Sequence, residues 1–222
     1  MTRVRKAFYV GWIKSFWLNF HCLPFKQAIR LPILVARRTK IHIGDKGRIS
    51  IMGGGKLRIG VCDEEFFHHE NLLYIDGQLV IKGNGNHLFA SGLSLRIYEG
   101  AVVEIGDDFA CMKNANIQIH KGLHVGKDNM WSWDEVIIDS DTHLIFDSKG
   151  KMISHNKDIR FGDHVWLGCR NIVLKGANIP PGCIIAAGST ITSKDKYPEK
   201  SIIASKGKVI KENINWNNKL NL

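Results

Sequence analysis

Hydrophobic residues recur at every sixth position between residues 161 and 194. An α-helix would repeat near every 3.6 residues and a single strand at every second residue, so neither explains the pattern. A six-residue period predicts a solenoid whose narrow interior takes a bulky side chain at one place and a small one at another. The bulky column holds Phe161, Leu167, Val173, Ile179, Ile185 and Ile191, and the compact column holds Val165, Asn171, Ala177, Cys183 and Ser189.

Short strands are also predicted closer to the N-terminus. From residue 40 to residue 60, aliphatic residues alternate with polar ones between glycine-containing turns, which is typical of strands joined by tight turns. Further strands are predicted at residues 79–81 and 93–97. Residues 61–74 lose the alternation and are interpreted as a solvated excursion from the wall.

The bulky column can be followed backwards until it fails at His143. Two extra residues shift its phase once, after Leu123. Phe161 restores the register, so residues 144–160 are predicted to form a loop that leaves the wall, a place where functional residues are often found. Before the failure, the column holds Ile105, Cys111, Ile117, Leu123, Val125, Trp131 and Ile137.

The N-terminal segment, residues 1–38, differs from the rest of the chain. Aromatic residues four apart over residues 8–20 predict an amphipathic helix, which is interrupted by Lys14 and too short to cross a bilayer. Residues 1–40 contain nine Lys or Arg and no acidic residue. Two interpretations stay open together: a helix lying on an anionic membrane surface, and a helix that covers the open end of the solenoid.

Composition narrows the class of protein. The 222 residues are 44% hydrophobic, and the net charge of +10 comes almost entirely from the N-terminal segment. No basic recognition motif accompanies it, so nucleic-acid binding is not expected. Five scattered cysteines predict a reducing, cytoplasmic environment, with thiols that fill the core and are not nucleophiles. No small-residue cleavage site follows the aromatic stretch, so a signal peptide is not expected.

Three segments follow from these patterns. We expect a basic, aromatic helical segment over 1–38, a solenoid over 39–194 and a capping tail over 195–222. His68 and His69 lie beside acidic residues in the first excursion. Adjacent side chains point apart in extended chain, so a solvated loop is predicted there and not a metal site.

The blocks FGDHVWLG, IPPGCIIAAGSTIT and SIIASKGKVIKE resemble hexapeptide-repeat acyltransferases, in particular galactoside and maltose O-acetyltransferases and bacterial O-acetyltransferases of surface polysaccharide. The resemblance covers residues 95–212. It implies an all-β solenoid, a left-handed parallel β-helix, assembled as a homotrimer with sites between neighbouring subunits. Acetyl-CoA is the implied acetyl donor, and a sugar or polysaccharide precursor is the implied acceptor.

Small residues at one corner of the predicted solenoid suggest where the coenzyme lies. If three six-residue blocks make one turn of the solenoid, Leu167 and Ile185 lie one coil apart. The residues that follow each of them then lie at the same corner. Small side chains would leave backbone groups open to the pantetheine arm, although they also suit a turn. The resemblance implies coenzyme contacts at Gly168, Cys169, Ala187, Gly188, Thr192, Ser193, Lys194, Lys208 and Lys211.

The chemistry requires a group that takes a proton from the acceptor hydroxyl, and histidine does so near neutral pH. His143 matches the catalytic histidine of the family. Asp141, or alternatively Asp139, is a candidate to orient its imidazole. Trp166 matches a tryptophan lining the family's site, and Trp131 and Trp133 are candidates to stack on a sugar.

Two other functions remain as alternatives to an O-acetyltransferase held near its lipid-linked substrate. One alternative is a trimeric metal lyase of the γ-carbonic-anhydrase type, which the spacing of His120 and His124 suggests. The other alternative is a scaffold without catalytic activity. Activity with acetyl-CoA separates the three, and no metal is expected.

Overall fold

Three parallel sheets form the walls of a solenoid that encloses the hydrophobic core. The computed structural model describes residues 8–62, 69–194 and 196–217. Successive strands pass from the first sheet to the second and the third, and each strand pairs with its counterpart one coil later. The chain is therefore an all-β solenoid, a left-handed parallel β-helix with a short helical segment at its N-terminal end.

The first sheet has nine strands and the second has seven. The first contains β1 (Ile33–Val35), β4 (Lys56–Ile59), β7 (Asn86–Phe89), β10 (Phe109–Cys111), β13 (Asn129–Trp131), β16 (Trp166–Leu167), β19 (Ile184–Ile185), β21 (Ile202–Ala204) and β22 (Lys208–Lys211). The second contains β2 (Thr39–Ile43), β5 (Asn71–Ile75), β8 (Ser94–Ile97), β11 (Asn116–Ile119), β14 (Val136–Ile138), β17 (Ile172–Leu174) and β20 (Thr190–Ile191).

The third sheet has six strands. It contains β3 (Arg48–Met52), β6 (Gln78–Lys82), β9 (Val102–Ile105), β12 (Gly122–Val125), β15 (Ile159–Phe161) and β18 (Asn178–Ile179). Neighbouring strands in the three sheets are parallel, except for β21 and β22 of the first sheet, which are antiparallel.

Both columns of the six-residue repeat lie in the interior, as predicted. The bulky column from Phe161 to Ile191 is at most 4% exposed, and the compact column from Val165 to Ser189 is at most 1% exposed. Leu167 pairs with Ile185 in adjacent coils of the first sheet. Three six-residue blocks therefore make one turn of the solenoid.

Trp131 belongs to this interior, which makes its predicted role in sugar stacking wrong. Its side chain is fully buried. The ring packs edge-on against Phe109, with centroids 5.0 Å apart, and at a tilt against Phe161, with centroids 4.7 Å apart. The physical reason is the register itself, because Trp131 occupies the same column as Cys111 and Leu167 and its side chain must point inward.

Helix α1 (Trp12–Cys22) and the short helix α2 (Phe25–Ala28) cover the N-terminal end of the solenoid. Two buried polar side chains of α1 bond the free edge of β1. Asn19 accepts the Ile33 N–H at 3.1 Å and donates to the Ile33 carbonyl at 2.7 Å, while Ser15 Oγ accepts the Val35 N–H at 3.0 Å. An edge strand left open would invite pairing with another chain, so the covering role expected of this segment is present.

The segment boundaries differ from those expected. The wall begins at β1, inside the segment assigned to residues 1–38, and β21 continues it beyond residue 194. Strand β5 starts at Asn71, which shortens the first excursion predicted over residues 61–74. His68 lies outside the described residues, and His69 is exposed.

The second excursion interrupts the wall between β14 and β15, from residue 139 to residue 158. Within it, Phe146 and Met152 form an antiparallel bridge, so the projecting part is a small hairpin. No helix in the described part of the chain is long and apolar enough to span a membrane.

Candidate functional site

His143 lies at the start of the second excursion and lines an open cleft. The cleft has a volume of about 410 Å³. The imidazole is exposed and makes no hydrogen bond or ion pair within the described residues. The cleft is lined by His120, Ser140, Thr142, His143, Leu144, Met152, Ser154, His155 and Asn156. The imidazole of His143 is therefore accessible to a molecule that enters the cleft.

Neither acidic candidate contacts His143. Asp139 is fully buried and accepts three backbone N–H groups at 2.7–2.8 Å, from His120, Lys121 and Gly122. Its carboxylate fixes the corner between the second and third sheets. The carboxylate of Asp141 instead forms an ion pair with Lys175. Asp139 thus positions backbone and Asp141 pairs with a lysine, and the expected imidazole-orienting contact is absent from the described residues.

The two histidines that suggested a metal lyase do not converge. His120 stacks on the ring of Tyr98, with centroids 4.0 Å apart. The Nδ1 atom of His124 lies 2.8 Å from Glu104 on the third sheet. Among the residues described by the structure, no group of three His, Cys, Asp or Glu side chains could hold a metal ion.

Trp166 and Trp133 are accessible, unlike Trp131. Trp133 is 45% exposed at the corner between the first and second sheets. Trp166 is half-buried, and its indole N–H donates to Ser132 Oγ at 3.3 Å. Trp216 from the tail lies 5.9 Å from Trp166 between ring centroids. Their use by a ligand stays a prediction.

The corner that was expected to hold coenzyme is formed by the turns after β16 and β19. Ala187 and Gly188 are exposed, and a side chain at Gly188 would meet open space. Cys169 is a half-buried free thiol. The edge is thus smooth and accessible at Ala187 and Gly188, as a thin extended ligand requires.

Gly168 has a structural role in the wall, and its contact with coenzyme stays a prediction. A Cβ atom there would lie 2.7 Å from the backbone nitrogen of Ala187 in the next coil. Its own N–H donates to the Ile185 carbonyl at 2.8 Å, and the Gly188 N–H donates to Cys169 at 2.9 Å. These two amides belong to the wall, so pantetheine cannot bond to them without breaking it.

The tail lies beside this corner. The hydroxyl of Ser205, in the short 3₁₀ helix Ser205–Gly207, donates to the Gly188 carbonyl at 3.1 Å. Strand β22 then presents the exposed side chains of Lys208 and Lys211. Thr192 is half-buried, and Ser193 and Lys194 are exposed just after β20. The predicted coenzyme residues, Gly168 included, therefore lie in the last coils of the solenoid, on both sides of β20 and on β22.

The predicted coenzyme contacts lie on both sides of the second sheet. Thr192, Ser193 and Lys194 follow β20 at the same corner as His143, in a later coil. His143 lies where the second sheet ends and the third would begin, whereas Ala187 and Gly188 lie between the first and second sheets. Among described residues, none of the predicted coenzyme contacts lines the cleft of His143. The second sheet separates His143 from Ala187 and Gly188.

Sequence reasoning missed one unusual ionisable group, Glu135. It is fully buried, and this burial raises the pKa of its carboxyl to about 8. One oxygen accepts the Asn171 N–H at 3.2 Å, while the other has no partner among the described residues. Glu135 comes directly before β14, and Asn171 of the compact column comes directly before β17, the strand that pairs with β14. Extending the compact column backwards along the sequence would therefore have shown that Glu135 points into the core.

Burial makes most of the thiols unreactive. It raises the pKa of Cys22 to about 11, and it also raises the pKa of Cys111 and Cys183. A thiolate is the nucleophilic form of cysteine. These three residues are therefore poor nucleophiles at neutral pH.

Comparison with known proteins decides the class of protein. A polysialic acid O-acetyltransferase of Neisseria meningitidis is 31% identical over 159 residues, which are 68% of this chain and 74% of the relative. The chain belongs to the hexapeptide-repeat O-acetyltransferases. This relative favours an acetyltransferase over the lyase and the scaffold.

This O-acetyltransferase also shares its fold with solved structures. The polysialic-acid-specific acetyltransferase NeuO is 20% identical, with a TM-score of 0.54 over 86% of this chain and 82% of that one. A scan against models of protein families found no match. The O-acetyltransferase activity rests on the Neisseria relative, while NeuO supports the architecture.

Proposed function

We propose that the protein transfers an acetyl group from acetyl-CoA to a sugar hydroxyl of a capsule polysaccharide, with His143 as general base. The observation that carries the proposal is the unpartnered, exposed imidazole in an open cleft. The Neisseria relative acts on polysialic acid, which makes acidic capsule chains the first acceptors to test.

The proposed chemistry uses one histidine in both directions. The neutral imidazole of His143 accepts the proton of the acceptor hydroxyl as its oxygen attacks the thioester carbonyl. The C–O bond forms, the C–S bond breaks, and the imidazolium returns the proton to the departing thiolate. Each turnover thus yields an acetyl ester and free CoA, with the enzyme unchanged.

The corner at Ala187 and Gly188 fits a thin ligand followed by charged phosphates. Open space at Gly188 accommodates the pantetheine arm. Lys208 and Lys211 are exposed on β22, three and six residues beyond the serine that bonds Gly188. Lysine binds phosphate as a point charge. We place the nucleotide end of acetyl-CoA beside these lysines.

The separation of His143 from the coenzyme corner supports a homotrimer. One chain carries an apolar hairpin at one side of the second sheet, with Leu144 70% and Ile153 52% exposed. At the other side it exposes Trp133 and Ile172, at 45% and 41%. Two unlike patches on opposite sides of one sheet can pair heterologously and close into a ring. In such a ring, His143 of one subunit meets the coenzyme of its neighbour.

The N-terminal helices offer a surface for an anionic membrane on the cytoplasmic side. Ile13 is 87% exposed, Phe8 69% and Phe25 70%. Lys14 and Arg37 flank this apolar surface, and residues 1–40 contain no acidic side chain. Apolar side chains beside basic ones suit the interface of anionic lipid.

Sedimentation with vesicles tests the membrane proposal. Wild-type protein and the double variant Phe8→Ser, Ile13→Ser are mixed with vesicles containing phosphatidylglycerol or only phosphatidylcholine. We expect binding of wild type to the anionic vesicles alone and loss of binding in the variant. Equal binding of both proteins would contradict the proposal.

An acceptor panel tests the proposed function itself. Release of free thiol from acetyl-CoA is measured with polysialic acid, a neutral capsule polysaccharide and no acceptor, and mass spectrometry locates the acetyl ester. We expect acceptor-dependent release with a polysaccharide. Thiol release that no sugar accelerates would overturn the proposed acceptor class.

A further inference from the structure

Four aromatic rings form a row along the outside of the solenoid, which we call the ring ladder: His42, Tyr74, Tyr98 and His120. His42 stacks on Tyr74 at 4.4 Å between centroids, and Tyr98 stacks on His120 at 4.0 Å. The two stacked pairs meet between Tyr74 and Tyr98 at 5.9 Å and an angle of 47°. This tilt leaves the faces of the two tyrosines less covered by each other than a parallel stack would.

The ring ladder lies on the surface and not in the core. The side chain of His42 is 51% exposed, and the other three rings are half-buried. Each ring belongs to the next coil along the second sheet or the corner after it. With strands about 4.8 Å apart, the row is about 14 Å long. It has the length of a short oligosaccharide.

The ring ladder ends in the cleft of His143. His120 is both its last ring and a wall of that cleft. The Nε2 atom of His120 is buried without a hydrogen-bond partner among the described residues. A buried polar group without a partner is costly, and an acceptor hydroxyl at the floor of the cleft would supply one.

Polar groups accompany the rings. Asp76 lies 3.1 Å from the Nε2 atom of His42. It also accepts a hydrogen bond from the Tyr74 hydroxyl, which raises the pKa of that tyrosine. Arg96, one coil after Tyr74 in register, is also half-buried on this face. Rings beside fixed donors and acceptors match a sugar chain, which has apolar C–H faces and hydroxyl rims.

We propose that the ring ladder is an extended acceptor track, which binds sugar residues of the polysaccharide several units away from the hydroxyl being acetylated. The inference rests on the proposed function, since the track leads into the His143 cleft. It adds that the enzyme prefers long chains to short oligomers. A ladder that only stabilises the solenoid is the competing explanation.

The test compares acceptor lengths. Sialic acid oligomers of two and of ten residues are used as probes, and kcat/KM is measured for each with saturating acetyl-CoA. The variants are Tyr74→Ala and His42→Ala. Met52→Ala is the matched control, since Met52 is 58% exposed on the third sheet in the same coil as His42.

We expect wild type and Met52→Ala to prefer the longer oligomer, and each ladder variant to lose about fivefold of that preference. A length preference that is absent in wild type, or that survives both ladder substitutions, would overturn the track. A drop in melting temperature with an unchanged length ratio would show a structural ladder instead. Turnover of no polysaccharide in the acceptor panel would overturn the proposed function, and the track with it.

Discussion

The carboxylate of Asp141 is paired with the ammonium group of Lys175. Asp141 lies two residues before His143, the histidine that it was expected to orient. Both side chains are about one-quarter exposed, at 27% and 26%. The pair ties the start of the second excursion to the turn after β17. It therefore holds the loop that carries His143 and does not act on the imidazole.

Separate and combined substitution of this pair tests its role. We expect Asp141→Ala and Lys175→Ala each to lower the free energy of unfolding by about 1 kcal/mol. The double variant should be less destabilised than the sum of the two single variants, because both single substitutions remove the same ion pair. Denaturant unfolding of wild type and the three variants measures these free energies. A large loss of kcat in Asp141→Ala with unchanged kcat in Lys175→Ala would restore the aspartate as a catalytic partner.

Glu135 should make the protein less stable as the pH rises. Burial raises the pKa of its carboxyl from 4.5 to about 8, so the folded protein holds a proton that the unfolded chain releases. The stabilisation from this neutral acid is complete below pH 4.5 and is lost as the pH rises towards 8.

Melting temperatures of wild type and Glu135→Gln between pH 5 and pH 8.5 measure this effect. Other groups titrate equally in both proteins, so the difference isolates Glu135. We expect the variant to gain stability relative to wild type as the pH increases. If the melting temperatures of the two proteins changed with pH by the same amount across this range, Glu135 would not be protonated in the folded state.

Asn19 should matter more to stability than the exposed residues around it. Its amide bonds both the N–H and the C=O of Ile33, and an alanine would leave both groups buried without a partner. We expect Asn19→Ala to cost about 2–4 kcal/mol in denaturant unfolding. Phe16→Ala, on the same helix but 56% exposed, should cost less than about 0.5 kcal/mol. Equal costs would mean that the edge of β1 is not sealed by this helix.

Ala187 should limit access to the coenzyme corner. A bulky side chain there would occupy the exposed edge without disturbing the core. We expect Ala187→Trp to raise KM for acetyl-CoA about tenfold with little change in melting temperature. Lys127→Trp, at an exposed turn of a different corner, is the control. If both variants kept the wild-type KM, the coenzyme would bind elsewhere.

The fold followed from the sequence because a narrow solenoid forces every sixth residue inward. Phe161 and Ile191 are buried for the same geometric reason, and the failure of the column at His143 located the cleft. The same rule corrected one functional assignment, since Trp131 stands in the column and is buried. Its neighbour Trp133 is out of the column and stays accessible.

Other features depend on contacts between distant residues and could not be predicted. The spacing of Asp141 from His143 suggested a dyad, but Lys175 approaches from another coil and takes the carboxylate. The bonds from Asn19 to β1 require the helix to fold back over the edge. The close packing of Gly168 likewise depends on the backbone of the next coil.

The most direct test of the account is acetyl transfer by His143→Ala. The imidazole is exposed and makes no bond in the described structure, so the variant should fold and bind acetyl-CoA as wild type does. We expect kcat with the polysaccharide acceptor to fall about 10²- to 10⁴-fold, with KM for acetyl-CoA unchanged. His69→Ala, another exposed histidine, should keep full activity. Acceptor-dependent thiol release at the wild-type rate in His143→Ala would contradict the proposed mechanism.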